Sequence, residues 1–239
     1  MLNLGKKSKQ RTTAIIVAAG NSTRMGGTLS KQLLSICGTP VLVRTLLAFE
    51  GADTIQDIIV VTKPQMIAEV LLFGEEYGIT KLTAVIPGGA TRALSVKNGL
   101  AAIDPATKFV AIHDGARCLV TPDMIDQVCR AAYRYRAASA VASVSDTVKT
   151  ATRSGFVAGT IDRNSVFLAT TPQVFSANLY RAALETVPNA DQLTDDNQLI
   201  EQLPHPIKLV DCGKENIKIT TPDDVDLAEF LLKKREGSK

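Results

Sequence analysis

The sequence predicts an α/β protein built on a mostly parallel sheet with helices on both faces. Three observations carry this expectation. Apolar runs rich in β-branched residues recur at 14–19, 57–62, 82–86 and 108–112, and they alternate with segments of helical periodicity. The runs are continuously hydrophobic, as strands covered on both sides are. The first ends at Gly20 in a small, polar, glycine-rich stretch, and in such sheets right-handed crossovers leave ligand sites outside the carboxyl ends of the strands.

After the first strand and its loop, Gly38, Thr39 and Pro40 break the chain, and 41–50 carries apolar residues at helical spacing, with Pro40 tolerated in the first turn. The second strand follows at 57–62, then an amphipathic helix at 65–77 ended by Gly78, then the third strand at 82–86. That strand delivers Pro87, Gly88, Gly89, Ala90, Thr91 and Arg92, and 93–103 is helical with Leu94, Val96, Leu100 and Ile103 on one face. The fourth strand, 108–112, ends in His113, Asp114, Gly115, Ala116 and Arg117. Thr121, Pro122 and Asp123 supply a cap, a first-turn proline and an acidic first turn for a helix running to about residue 137.

A fifth strand is expected at 139–144, after which the alternation lapses. Residues 146–163 are rich in Thr, Val and turn formers, with Arg153, Ser154 and Gly155 at a bend, which predicts a protruding β-hairpin arm. A two-stranded hairpin is marginal alone in water, so a partner subunit is the economical surface for it to pack on. Residues 167–170 read as a strand, Thr171, Pro172 and Gln173 as a turn, and 176–187 as a helix. Thr194 reads as the cap of a further helix with Asp195 and Asp196 in its first turn, and capping accounts for those acids without a metal. Short strands are expected at 207–211 and 217–220, and Thr221, Pro222, Asp223 and Asp224 open a last helix that closes the sheet with Val225, Leu227, Ala228, Phe230 and Leu231.

Bulk properties narrow the function classes. The 239 residues are expected to form one domain over 12–239, preceded by a basic tail at 1–11 that holds Lys6, Lys7, Lys9 and Arg11. A net charge of +3, 5% aromatics and no Trp give no basic groove with stacking platforms, so a nucleic-acid partner is not expected. The four cysteines, Cys37, Cys118, Cys129 and Cys212, form no Cys-x-x-Cys pair and read as reduced thiols. No run reaches the roughly 18 apolar residues of a membrane span and none has the shape of a signal peptide, so a cytoplasmic location is expected. With only His113 and His205, a multi-histidine metal cage is excluded.

The chemistry starts at the first loop. Gly20, Asn21, Ser22, Thr23, Gly26 and Gly27 let backbone N–H groups face a ligand, while Arg24 and Lys31 add positive charge, so the loop suits an anion. It is not a dinucleotide fingerprint, because the next strand ends in Thr62 and Lys63 rather than an acid. Nor is it a P-loop, since Thr28, Leu29 and Ser30 separate the glycines from Lys31. Gly88 and Gly89, at a strand end, suit a flat ligand lying against exposed backbone. Asp114 can meet a ribose hydroxyl or a hydrated Mg²⁺, Arg117 can grip a phosphate, and Lys218 is a further phosphate ligand. His113 reads as a structural hydrogen bonder and is assigned no chemistry.

Taken together, Ala18-Ala19-Gly20 with Arg24, Met25 and Gly26, Lys31-Gln32, Gly88-Gly89 with Arg92, Ser95 and Val96, His113-Asp114 with Ala116-Arg117, Thr171-Pro172-Gln173 and Asn216-Ile217-Lys218-Ile219-Thr220 resemble one family. It is the 2-C-methyl-D-erythritol 4-phosphate cytidylyltransferases, and the likeness runs in order from about Thr12 to Lys233. The resemblance implies a Rossmann-like nucleotidyltransferase fold with a dimerisation arm at about 146–163. The reaction it implies joins CTP and methylerythritol phosphate to give the CDP-alcohol and pyrophosphate, with Mg²⁺, on the non-mevalonate route to isoprenoid precursors. By the same match Arg24, Lys31 and Lys218 would be catalytic, and Ala18, Ala19, Gly20, Gly88, Gly89, Arg92, Ser95 and Asp114 would bind the nucleotide. Arg117, Thr147, Arg163, Thr171 and Lys218 would bind the second substrate, with Asp114 near the metal, reaching it through water, and the arm residues able to act across a homodimer.

Four positions depart from the family pattern: Ala90 stands where an acid is common, Cys118 and Ser30 where proline is, and Gly115 where alanine is. Ribitol 5-phosphate cytidylyltransferases resemble the chain in fold and nucleotide site and differ at the alcohol. A non-catalytic nucleotide-binding regulator is the alternative from another class, and it would lack a complete set of phosphate-binding cations, whereas Arg24, Lys31 and Lys218 are all present.

Overall fold

The computed structural model describes residues 10–20 and 30–237, apart from the side chains of residues 191 and 236. Its first half is built from β1 (Thr12–Val17), the two-residue strands β2 (Ser35–Ile36) and β3 (Thr39–Pro40), α1 (Val41–Glu50), β4 (Ile55–Thr62), α2 (Ile67–Glu76), β5 (Leu82–Pro87), α3 (Arg92–Ala101) and β6 (Phe109–Asp114). There follow α4 (Pro122–Tyr135), β7 (Ala137–Ser143), β8 (Val148–Ala151), β9 (Val157–Ile161), β10 (Phe167–Ser176), α5 (Ala177–Thr186), α6 (Asp196–Glu201), β11 (Lys208–Asp211) and α7 (Pro222–Glu236).

The continuous apolar runs are strands buried on both faces, and the two-residue period sorts their side chains into two cores. Ala14 and Ile16, Ile58 and Val60, and Phe109 and Ala111 point to one layer, where α1, α2 and α4 pack with Leu46, Val70 and Val128. Ile15, Ile59, Val61, Val110 and Ile112 point to the other, against α3, α5 and α6 with Val96, Tyr180 and Leu199. Helices therefore cover both faces, as the sequence predicts.

The seven strands of the main sheet lie in the order β11-β7-β10-β6-β1-β4-β5. β1, β4, β5 and β6 are mutually parallel, while β10 runs antiparallel between β6 and β7. The chain steps outward from β1 through β4 to β5 and then returns to β6 on the other side of β1. A crevice is left where the strand order reverses, outside the carboxyl ends of β1 and β6. Val17 and Asp114 are paired in register at its floor.

Several sequence expectations are corrected. Residues 171–173 form no turn: they lie inside β10, with a cis Thr171–Pro172 bond and a register shift between Ala169 and Gln173. No strand forms at 217–220, where Ile219 N–H gives a bond of 2.8 Å to the Ala116 carbonyl and the segment otherwise stays irregular. Asp195 rather than Thr194 caps α6, accepting from Gln198 N–H at 3.0 Å. Pro40 lies one residue before α1, as its cap. α7 does not close the sheet; it covers Ile36, Val41, Ala116 and Leu119 through Val225, Ala228 and Leu231, leaving Leu227 and Phe230 exposed. Arg11, the last residue of the basic tail, is tied to the domain: its carbonyl accepts from Lys108 and Phe109 N–H and its guanidinium meets Asp57 at 2.9 Å. Residues 1–9 lie outside the described residues.

The hairpin is present as β8 paired antiparallel with β9, turning at Gly155 with φ of +85°. Its tip presents Phe156 and Val157 with about 70% of each exposed.

α3 approaches the sheet closely at Gly99, where a Cβ would come within 2.5 Å of Ile15 Cγ2 and 3.2 Å of Val61 Cγ2. In an open helix, Gly→Ala gains about 1 kcal/mol. Here overpacking reverses the sign, and Gly99→Ala is expected to lose about 1–3 kcal/mol in denaturant unfolding. A stabilised variant would show that the helix has room to move off the sheet.

Candidate active site

Four strand ends meet at the crevice. Beyond β1, Ala18 N–H bonds the Val61 carbonyl at 2.7 Å, and Ala19 and Gly20 continue to its rim. Beyond β5, Gly88 N–H bonds the Thr62 carbonyl at 2.8 Å, and a Cβ on Gly88 would collide with that of Ala19. Gly89 N–H donates to Ser95 Oγ at 3.1 Å, Ser95 donates to the Thr91 carbonyl at 2.9 Å, and Thr91 caps α3 by accepting from Leu94 N–H. The double glycine is thus pinned to the first turn of α3. No side chain could occupy Gly88, and the neighbouring backbone faces the cavity.

Asp114, the last residue of β6, is the centre of a charge cluster. Its Oδ1 accepts from Arg92 Nε at 3.2 Å, its Oδ2 from Lys218 Nζ at 2.9 Å, and Arg117 Nε lies 3.6 Å from Oδ2. Arg92 is held from behind, where its second amino group donates to Asp196 Oδ2 at 2.7 Å and Tyr180 O–H donates to Asp196 Oδ1 at 2.6 Å. Burial alone would push the Asp114 carboxyl up, but Arg92, Lys218 and Arg117 together hold it well below the ordinary carboxylate range. His113, fully buried beside it, is driven the other way by burial, to about 3, and is neutral at pH 7.

The segment after β11 ties this cluster to the first loop. Asn216 accepts Arg117 on its carbonyl at 2.9 Å and donates from its side chain to the Thr171 carbonyl at 2.8 Å. Lys31 Nζ donates to the Ile219 carbonyl at 2.9 Å. Irregular backbone at 216–219 is therefore what brings Arg117, Thr171 and Lys218 around Asp114 and ties Lys31 to the same segment.

Two cavities result. One, of about 470 Å³, is lined by Ala19, Gly20, Lys31, Gly89, Arg92, Ser95, Asp114 and Lys218. The other, of about 170 Å³, is lined by Arg92, Asp114, Arg117, Thr170, Thr171, Gln173, Asp195 and Lys218. Arg92, Asp114 and Lys218 form the wall that both share.

Of the residues named from the sequence, Lys31, Ala19, Gly20, Gly89, Arg92, Ser95, Asp114 and Lys218 gather at the first cavity, and Arg117 and Thr171 at the second. Gly88 and Ala18 support the first cavity from beneath. Thr147 and Arg163 stay on the exposed arm and reach neither cavity of their own chain; Arg163 instead bonds the Ser145 carbonyl at 2.7 Å. Arg24 lies outside the described residues. Asp114 is not an open metal ligand, since both its oxygens are engaged by cations, and among the described residues no three His, Cys, Asp or Glu side chains cluster to hold an ion. Lys63 and Gln65, which also line the first cavity, were missed by the sequence reading although they follow β4 at the same sheet edge. The sequence places Asp196 among the first-turn acids of a helix, and only the fold shows it holding Arg92.

Replacing Asp114 by Asn leaves three cations without their shared anion, and about 3 kcal/mol of stability is expected to be lost at neutral pH. Because the native carboxyl titrates below its unfolded value, its stabilisation is complete above about pH 4 and fades as pH falls further. Unfolding measured across pH should show a steeper acid loss for the native chain than for Asp114→Asn. Equal slopes would contradict the charge cluster.

Comparison with known proteins agrees with this geometry. The family model of 2-C-methyl-D-erythritol 4-phosphate cytidylyltransferase matches residues 12–234. The chain is 41% identical over 232 residues to the protein of that name from Pelotomaculum thermopropionicum, covering 95% of this chain and 96% of the relative. It is 42% identical over 229 residues to that from Caldanaerobacter subterraneus, covering 93% and 99%. Among solved structures, 4-diphosphocytidyl-2C-methyl-D-erythritol synthase from Anaerococcus prevotii superposes with a TM-score of 0.83 at 29% identity, over 94% of this chain and 97% of the other. The Thermus thermophilus 2-C-methyl-D-erythritol 4-phosphate cytidylyltransferase gives 0.73 at 31% identity, over 92% and 98%. With its nucleotide-sized crevice, its shared cationic wall and a match along nearly its whole length, the chain belongs to the 2-C-methyl-D-erythritol 4-phosphate cytidylyltransferase family.

Proposed function

We propose that the chain transfers the cytidylyl group of CTP to 2-C-methyl-D-erythritol 4-phosphate and releases pyrophosphate, serving isoprenoid precursor synthesis. The observation that carries this reading is the pair of cavities on one wall of Arg92, Asp114 and Lys218. The larger takes CTP, with cytosine against the Gly89 backbone and Ser95, the ribose toward Asp114, and the phosphates toward Lys31. The smaller takes the alcohol phosphate, gripped by Arg117 and Lys218 and met by Thr171.

The acceptor phosphate is already an anion, so no general base is needed. One of its oxygens attacks the α-phosphorus, and the bond from that phosphorus to the oxygen bridging the β-phosphate breaks, with the electron pair leaving on pyrophosphate. Positioning and charge neutralisation do the catalytic work. Lys31 and Lys218, which both line the larger cavity, supply positive charge to the transferred phosphates, and Arg24 is assigned the same role from the sequence alone. Neutral His113 takes no part as a base.

A Mg²⁺ ion held mainly by the triphosphate would spread the charge that builds on the phosphate oxygens. The donor set fits an ion whose shell is mainly phosphate and water, because both oxygens of Asp114 are already engaged by Arg92 and Lys218 and the carboxylate would meet the ion only through water. On this reading the arm holds a homodimer together, supported by the exposure of Phe156, Val157 and Ile161 on it, and Thr147 and Arg163, which reach neither cavity of their own chain, would complete the acceptor cavity of a second copy. A cytoplasmic setting agrees with the absence, among the described residues, of a helix long and apolar enough to cross a membrane.

Purified chain with CTP is expected to turn over methylerythritol phosphate and to prefer it to ribitol 5-phosphate; a ribitol preference would overturn the assignment. Lys31→Ala should lower kcat by about 10²–10³ with the fold intact by circular dichroism, and near-native turnover would remove Lys31 from the mechanism. Deleting residues 146–163 should give an inactive monomer by sedimentation, whereas an active monomer would refute the role of the arm.

A further inference from the structure

Beneath the shared wall, a chain of hydrogen bonds links His113, Thr171 and Asp114. Asp114 N–H lies 3.1 Å from Thr171 Oγ1, Thr171 Oγ1 lies 3.0 Å from His113 Nδ1, and His113 Nε2 lies 3.3 Å from the Arg117 carbonyl. Backbone groups fix both ends of this chain. A carbonyl only accepts, so Nε2 carries the proton and Nδ1 of the neutral ring is left as an acceptor. A backbone N–H only donates, so Thr171 Oγ1 accepts from Asp114 and passes its own proton to Nδ1.

We infer that His113 is a positioning residue that commits the Thr171 proton inward, so that Thr171 offers the second cavity a lone pair and nothing else. This inference rests on the reading that the second cavity receives the alcohol phosphate. A lone pair can take a hydroxyl proton from the acceptor and cannot bond an ionised phosphate oxygen. Thr171 therefore selects a hydroxyl of the polyol and leaves the phosphate to Arg117 and Lys218, which line the same cavity. The adjoining Thr170 Oγ1 is buried without a partner and supplies the complementary donor, so the two threonines together read a hydroxyl-bearing carbon chain. The ring of His113 is itself fixed, tilted against Phe49 with centroids 4.9 Å apart.

The polarity is tested in the native protein by ¹⁵N NMR of the His113 ring at pH 7, where protonated Nε2 and bare Nδ1 are expected; a proton on Nδ1 would overturn the inference whatever the variants do. In kinetics, His113→Phe keeps the ring and removes the acceptor, freeing the Thr171 proton. It is expected to raise KM for methylerythritol phosphate about tenfold while KM for CTP changes less than about twofold. His113→Asn, whose side-chain oxygen takes the place of Nδ1, should restore most of the acceptor KM. If Thr171→Val raises that KM and His113→Phe does not, the role of His113 is wrong. If Thr171→Val leaves it unchanged, the reading of the second cavity fails instead. A His113→Phe chain that does not fold leaves the NMR tautomer and the Asn variant to decide.

Discussion

The structure depends on one buried carboxylate being held by three cations. Asp114 sits at the end of the central strand β6, in a position that would be costly for an unpaired charge, and Arg92, Arg117 and Lys218 reach it from three separate parts of the chain. Arg92 begins α3, Arg117 follows β6, and Lys218 lies in the irregular segment after β11. The ion cluster therefore fixes how three elements meet at the sheet edge. On the side of the larger cavity it leaves an excess of positive charge: Lys31, Lys63, Arg92 and Lys218 line that cavity with Asp114 as its one carboxylate among the described residues, which suits phosphates.

Much of this was legible in the residues because parallel strands advertise themselves. Runs such as Ile58-Ile59-Val60-Val61 are apolar on both faces, and the residues immediately after them mark the sheet edge where ligands bind, which is how Gly89 and Asp114 could be named. What stayed hidden depended on tertiary pairing. Thr171-Pro172-Gln173 has the composition of a turn, yet pairing with β6 and β7 keeps it inside a strand. Asp195 and Asp196 look equivalent in sequence, but one caps α6 and the other turns inward to Arg92, a difference of one residue around a helix start. Ile217 to Thr220 alternates like a strand, but it joins no sheet, and Ile219 N–H bonds the Ala116 carbonyl beyond the end of β6 instead.

The departures from the family pattern are also explained by packing. Ser30 has φ of −65° and ψ of 129°, backbone values that a proline shares, so the main-chain path into Lys31 does not require one. Cys118 is buried with Ala116 and Leu119 in the cluster under α7, where burial pushes its thiol up to about 11 and keeps it inert. A Cβ at Gly115 would come within 3.2 Å of Ala18 and Leu42, so this chain packs more tightly beneath its first loop than alanine would permit without adjustment. Ala90 is exposed at the cavity rim and brings no carboxylate there.

In the proposed reaction the two substrates lie on either side of one charged wall. The most direct test is the KM for CTP and for the alcohol phosphate measured together in Lys218→Ala, with Arg117→Ala as the reference for a residue that lines only the smaller cavity. Loss of Lys218 should raise both KM values by about tenfold or more, whereas loss of Arg117 should raise that of the alcohol phosphate alone. A Lys218→Ala enzyme weakened toward one substrate and unchanged toward the other would contradict the shared wall.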